Sequence, residues 1–295
     1  MSTAVAARRG TDVTGRVATT GRARRPGLRA AVLVGVNVIG VLAFAWPFLL
    51  PLAPGVNENH KADGPLILAG LLGCVGVLLF VELGRGGLGP KTVALLGILG
   101  AVMVALRLPG FILGFTPMFI VVLVAGNAFG PGFGFLLGAV GMFASGLFIG
   151  GLGPWLPFEM VAVGWVGVGA GLLPNGVGGA NTRARWGVRI GSLAAYGFVA
   201  GLVYGAVMDL WEWPFLAGGS AVGWDRAASA ATNLHHFQTY YLATSLPFDL
   251  PRAIGNLVMV VLLGRPLLAA LDRAARRMRL NVVRPSRGTT DSIGA

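Results

Sequence analysis

Long apolar runs broken by short polar stretches dominate the chain. Stretches such as 30–50 and 93–106 contain no charged residue. A hydrocarbon core of about 30 Å takes roughly 20 apolar residues per helix. On that measure the pattern predicts eight membrane spans, at 29–50, 64–84, 92–108, 113–129, 132–151, 155–174, 188–211 and 250–268. The fourth to sixth are joined by tight turns, Gly130-Pro131 and 151–154. Residues 1–28 hold no apolar run and read as a disordered basic tail, and 276–295 read as a second basic tail. The first run is longer than a signal-peptide core and lacks a clear cleavage site, so it is expected to be retained. The fold class expected is an all-α membrane protein.

Composition strengthens this picture. Of 295 residues, 55% are hydrophobic and 12% are charged, against about 25% charged in a typical soluble domain. The 48 glycines suit membrane helices that pack backbone to backbone. The net charge of +12 could signal nucleic-acid binding, but its placement argues otherwise. With the N-terminus inside, the cytoplasmic segments hold 19 basic residues against four acids. The outer segments hold Lys61, Arg107, Arg226 and Arg252 against seven acids. This positive-inside bias places both termini in the cytoplasm and leaves no nucleic-acid footprint. Cys74 is the single cysteine and lies within an apolar run, so it reads as a small buried hydrophobe.

Several chemistries are missing from the sequence. No Gly-x4-Gly-Lys-Ser/Thr loop is present, so the chain is not expected to hydrolyse ATP by itself. The pairs Gly132/Gly134 and Gly167/Gly169 lack the strand–turn–helix setting of a phosphate cradle and read as close helix packing. The adjacent His235 and His236 point about 100° apart on a helix, which disfavours chelation by the pair. No metal site or bound cofactor is expected. The acids within spans, Glu82, Glu159 and Asp209, lie near span ends, a poor arrangement for an ion-coupled transporter.

What remains is an outward cup. Three outer connections crowd one face: 106–112, 151–156 and the long segment 212–249. The last is too long for an idle connector and is expected to hold a short surface helix near 225–243. Together with the neighbouring span ends, these connections carry Arg107, Phe111, Phe115, Trp155, Phe158, Glu159, Trp211, Glu212 and Trp213. Phe158 and Trp165 share one helix face, as do Tyr204, Met208 and Trp211. Aromatic walls with a few charges suit an organic ligand. An interfacial belt of anchoring aromatics is the plainer alternative. An enzyme of lipid or cell-wall metabolism would need Glu159, Asp209 and His235 to converge, and a ligand-free structural subunit would need none of this.

Four stretches carry a family resemblance: Lys91-Thr-Val-Ala-Leu-Leu-Gly-Ile-Leu-Gly-Ala-Val-Met-Val-Ala-Leu-Arg-Leu-Pro109, Gly114-Phe-Thr-Pro-Met-Phe119, Ala125-Gly-Asn-Ala-Phe-Gly-Pro-Gly-Phe-Gly134 and Gly153-Pro-Trp-Leu-Pro-Phe-Glu-Met160. Together they resemble the substrate-binding S components of energy-coupling-factor (ECF) transporters. The resemblance covers residues 91–275 and sets 29–90 apart as two added helices. It implies a six-helix bundle that captures a vitamin from outside. It also implies partners: a membrane scaffold (the T component) and two ATPase subunits that consume the ATP. A stripe of small residues on the bundle's first helix would dock on the scaffold. Gly97, Ala101 and Ala105 form such a stripe here, spaced four apart, although packing inside the bundle would use the same pattern. Residues 153–160 look most like the cobalamin-linked branch, so a cobalamin-like ligand is the expectation.

Overall fold

A computed structural model describes residues 26–49, 69–70, 73, 76–77, 90–109, 115–153, 155–174, 183–213, 222–225 and 227–280. Phe111 and most of the second expected span, 64–84, lie outside these residues. All regular structure among the described residues is helical. The helices are α1 (Pro26–Leu49), α2 (Pro90–Arg107), α3 (Phe119–Phe129), α4 (Pro131–Ile149), α5 (Leu156–Leu172) and α6 (Arg183–Glu212). Then come α7 (Ala230–Tyr240), a π-helical turn (Tyr241–Ser245) and α8 (Leu246–Leu280).

By length and apolar composition, four helical stretches can cross a membrane: α2, α4, α6 and the continuous run from Ala230 to Arg277. Helices α3 and α5 are shorter and apolar, as is the segment Ala31–Leu42 of α1. Ile98, Phe148, Val203 and Leu262 are large apolar side chains left exposed on outward faces. A helix can present such a surface to lipid, where water would penalise it.

The core forms around α3, whose residues from Phe119 to Ala128 are all buried. A helix apolar on every side belongs in the middle of a bundle. The expectation of a span beginning at residue 113 differs from the structure, in which α3 starts at Phe119. The cause is local. Pro117 has no N–H to give and its ring fits the turn before a helix, so Thr116–Met118 forms a turn and the helix follows. At the other end Gly130, with φ of 95°, breaks α3 from α4, whose first residue is Pro131.

Glycine sets the spacing between α3, α4 and α5. A Cβ added at Gly138 would lie 2.7 Å from the backbone N of Gly164. Cβ atoms at Gly134 and Gly167 would run into each other's backbones. One member of each pair read from sequence as close packing, Gly134 and Gly167, therefore sits at a backbone contact, and Gly169 faces the Tyr196 side chain. Gly197, Gly201 and Gly205 perform the same role where α6 meets Ala253, Asn256 and Asp249 of α8. That second stripe was not singled out from sequence, although its four-residue spacing was visible.

Helix α1 packs on α5 and α6. A Cβ at Gly40 would come within 2.7 Å of Val161 Cγ1. The buried ring of Phe44 meets Phe158 at 5.1 Å and Trp165 at 5.3 Å between centroids.

Candidate functional site

Two clusters of buried charge occupy opposite ends of the bundle. The first surrounds a cavity of about 160 Å³. Arg107 reaches it from the last turn of α2 and Glu159 from the first turn of α5. Tyr204 on α6 and Arg252 on α8 face it, and the start of α3 supplies Thr116, Met118 and Phe119.

The helix ends suit these charges. A cation complements the partial negative charge at the C-terminus of α2, and a carboxylate complements the N-terminus of α5. Arg107 Nη2 donates to both carboxylate oxygens of Glu159, at 2.9 and 3.0 Å, and Nη1 donates to Ser145 Oγ at 3.1 Å. Arg252 Nη1 donates to Asp249 Oδ1, three residues earlier on α8. Its guanidinium carbon lies 5.1 Å from the centre of the Tyr204 ring. The edge-to-face pair of Tyr204 and Phe119, with centroids 5.0 Å apart, fixes that ring in turn.

The second cluster is buried within the helices. Arg189 on α6 donates through Nη1 and Nη2 to Asp272 on α8, at 2.6 and 3.1 Å, and through Nε to Asn127 Oδ1 on α3, at 2.7 Å. Asn127 Nδ2 then donates to the carbonyl of Ala170 on α5, at 3.2 Å. One arginine thereby ties four helices together. Both members of this pair were counted from sequence as charges of the cytoplasmic face. The structure buries them together, with Arg189 5% and Asp272 8% exposed.

Of the residues expected at the site, Arg107, Glu159 and Tyr204 line the cavity. The other described ones do not. Phe158 and Trp211 are buried against each other, with centroids 4.5 Å apart, and Trp165 lies under Phe44 of α1. Phe115 packs on Gly255, Met208 against the core, and the partly exposed Trp155 on Gly153. Glu212 is exposed. Trp213 is buried away from the cavity, donating to the carbonyl of Val222 at 2.7 Å beside Trp224 and Phe237. Phe111 lies outside the described residues. Aromatic residues near a span end are also what helix packing demands, so a count of rings could not separate wall from core.

The expected surface helix corresponds to α7, but it continues through the π-helical turn into α8. Ser229 caps its start, accepting from the Thr232 N–H at 3.1 Å. Asn233 pins the preceding loop through two hydrogen bonds with the Asp225 backbone, at 2.9 and 2.7 Å. His235 is exposed on α7, and neither it nor Asp209 lines the cavity with Glu159. Among the described residues, no group of three His, Cys, Asp or Glu side chains is placed to hold a metal ion.

Arg252, Thr116, Met118 and Phe119 were not picked out from sequence as site residues. Arg252 carried a signal, as one of four basic residues assigned to the outer face and with an acid three positions before it.

Gly97, Ala101 and Ala105 are exposed on α2, and nothing lies within contact distance of a Cβ added at Gly97. Within the described bundle the stripe takes no part in packing.

A model of the family described as "ECF transporter, substrate-specific component" matches residues 91–264. No curated protein and no solved structure matches the chain. Helix α1 lies before the matched region.

Proposed function

The chain belongs to the substrate-specific components of ECF transporters, and on that premise we propose that it captures a small micronutrient at the outer face of the bacterial plasma membrane. Membership makes it a transporter subunit, not an enzyme, and implies association with an energy-coupling module of a T component and ATPases. The observation that carries the proposal is the pairing of a polar cavity at one end of the bundle with a buried ion-paired cluster at the other. The positive-inside charge bias turns the cavity end outward. The exposed stripe Gly97, Ala101, Ala105 offers the T component a face that two backbones can approach closely. ATP is spent by the two ATPases, in keeping with the lack of a nucleotide loop in this chain.

Size narrows the solute. A buried void of about 150 Å³ accommodates benzene, and the cavity here is about 160 Å³. A vitamin or precursor built on roughly one ring matches that volume, and it is the solute we favour over the cobalamin-like ligand expected from residues 153–160. The test is uptake into proteoliposomes holding this chain, its T component and both ATPases, with a radiolabelled panel of vitamins. ATP-dependent uptake of one member is expected. With Ala101→Leu, uptake falls at least roughly tenfold while solute binding persists, since a large side chain holds the helices apart. Failure of an assembled, ATP-hydrolysing complex to take up any member would overturn the proposal.

A further inference from the structure

We infer that the cavity selects a small organic anion bearing a carboxylate, with Arg252 as the group that binds it. This rests on the solute-capture reading above and adds a chemical class to it.

The charges on the wall are unequal. Two guanidiniums, Arg107 and Arg252, line the cavity against one carboxylate, Glu159, because Asp249 is buried and does not line it. Glu159 is also spoken for, since both its oxygens accept from Arg107. A cationic solute would have to compete with Arg107 for those oxygens and would face Arg252 as well.

Arg252 is short of acceptors. A guanidinium carries five N–H donors. Here Asp249 accepts from Nη1 and Nε is buried without an acceptor, so Nη2 is the nitrogen left to meet a solute in the cavity. The Tyr204 ring and Asp249 already hold the group in place, so little ordering remains to oppose binding. A carboxylate matches the planar fork of an arginine better than a neutral amide does, and such charge-assisted bonds are roughly twice as strong.

The start of α3 adds a second, independent contribution. Thr116, Met118 and Phe119 bring the N-terminus of this buried helix to the cavity wall. No side chain caps it, and its first three amides make turn bonds of 3.5, 3.2 and 3.1 Å to Thr116, Pro117 and Met118. The positive end of a helix dipole, set in apolar surroundings, favours an anion in front of it.

The test uses the full chain in nanodiscs and three matched pairs of probes: benzoate with benzamide, nicotinate with nicotinamide, and pantothenate with pantothenol. Affinity is read by calorimetry, and binding is checked by thermal shift. At least one acid is expected to bind roughly tenfold or more tightly than its neutral partner. Arg252→Gln abolishes that preference, and Arg252→Lys keeps part of it. Should the glutamine variant fail to fold, the lysine variant and the wild-type pairs still decide the matter. Neutral partners binding as tightly as acids, a preference that survives Arg252→Gln, or no binding by any of the six would each overturn the inference. Uptake of a neutral vitamin in the proteoliposome assay would leave solute capture standing while the anion reading fell.

Discussion

The bundle contains two arginine clusters, and they make opposite use of the same chemistry. At one end Arg189, Asp272 and Asn127 are packed from every side, and each nitrogen of the guanidinium donates to a named acceptor. At the other end Arg107 and Arg252 border a void, and Arg252 lacks an acceptor for a buried N–H. Along α5 the two clusters are separated by the rise from Glu159 to Ala170, roughly 16 Å at 1.5 Å per residue. An arginine facing a carboxylate inside a bundle becomes a joint when its donors are matched and no space is left. It becomes a receptor when the geometry withholds an acceptor and leaves room for one.

The largest expected effect lies at the joint. Arg189→Ala leaves Asp272 and Asn127 buried without their partner and should cost about 3–5 kcal/mol, read as earlier thermal unfolding in nanodiscs. Protein that remains folded should bind solute with unchanged affinity. If Arg189→Ala weakened binding and left unfolding where it was, the roles given to the two ends would be reversed. Between the ends, Gly138→Val drives a side chain toward the backbone of Gly164 and should cost about 1–3 kcal/mol. That loss should appear in unfolding, with the ratio of acid to amide affinity unchanged.

These assignments were unequally legible in the sequence. Hydropathy alone located α2, α4, α5 and α6 closely, because each is a long apolar run bounded by Gly or Pro. It misplaced the start of α3, where Pro117 sets the boundary inside an apolar stretch. It also separated α7 from α8, which the π-helical turn joins despite the polar residues around 240–245. Arg107 and Glu159 could be selected because each is a lone charge beside a span end. Their pairing could not, as they are 52 residues apart. Arg189 read as a topogenic charge because sequence does not reveal burial, and only the crossing of α6 with α8 brings Asp272 to it. Trp165, Trp211 and Trp213 looked like pocket walls for the converse reason. An aromatic ring packs a core and lines a pocket equally well, and Phe44 of α1 decides the matter for Trp165.

The smallest expected effect distinguishes the ends most finely, since it changes affinity at one and stability at the other. Glu159→Gln keeps a hydrogen-bond acceptor for Arg107 but removes a negative charge from the cavity wall. The ion pair is 15% exposed on both sides and borders the void, and because the amide oxygen still accepts from Arg107 its loss should cost less stability than a change at the joint. An anionic solute then meets two arginines with no carboxylate on the cavity lining, Asp249 lying behind Arg252. Its affinity should rise by roughly two- to tenfold, about 0.4–1.4 kcal/mol, while the neutral partner binds as before. The matching change at the joint, Asp272→Asn, removes the same charge from a sealed site. It should lower the unfolding temperature and leave both affinities alone, because Asp272 does not line the cavity. Titrating nicotinate and nicotinamide into both variants compares the ends directly. Tighter nicotinate binding in Asp272→Asn, or weaker binding in Glu159→Gln, would mean that the charge acts through the whole bundle and not through the cavity wall.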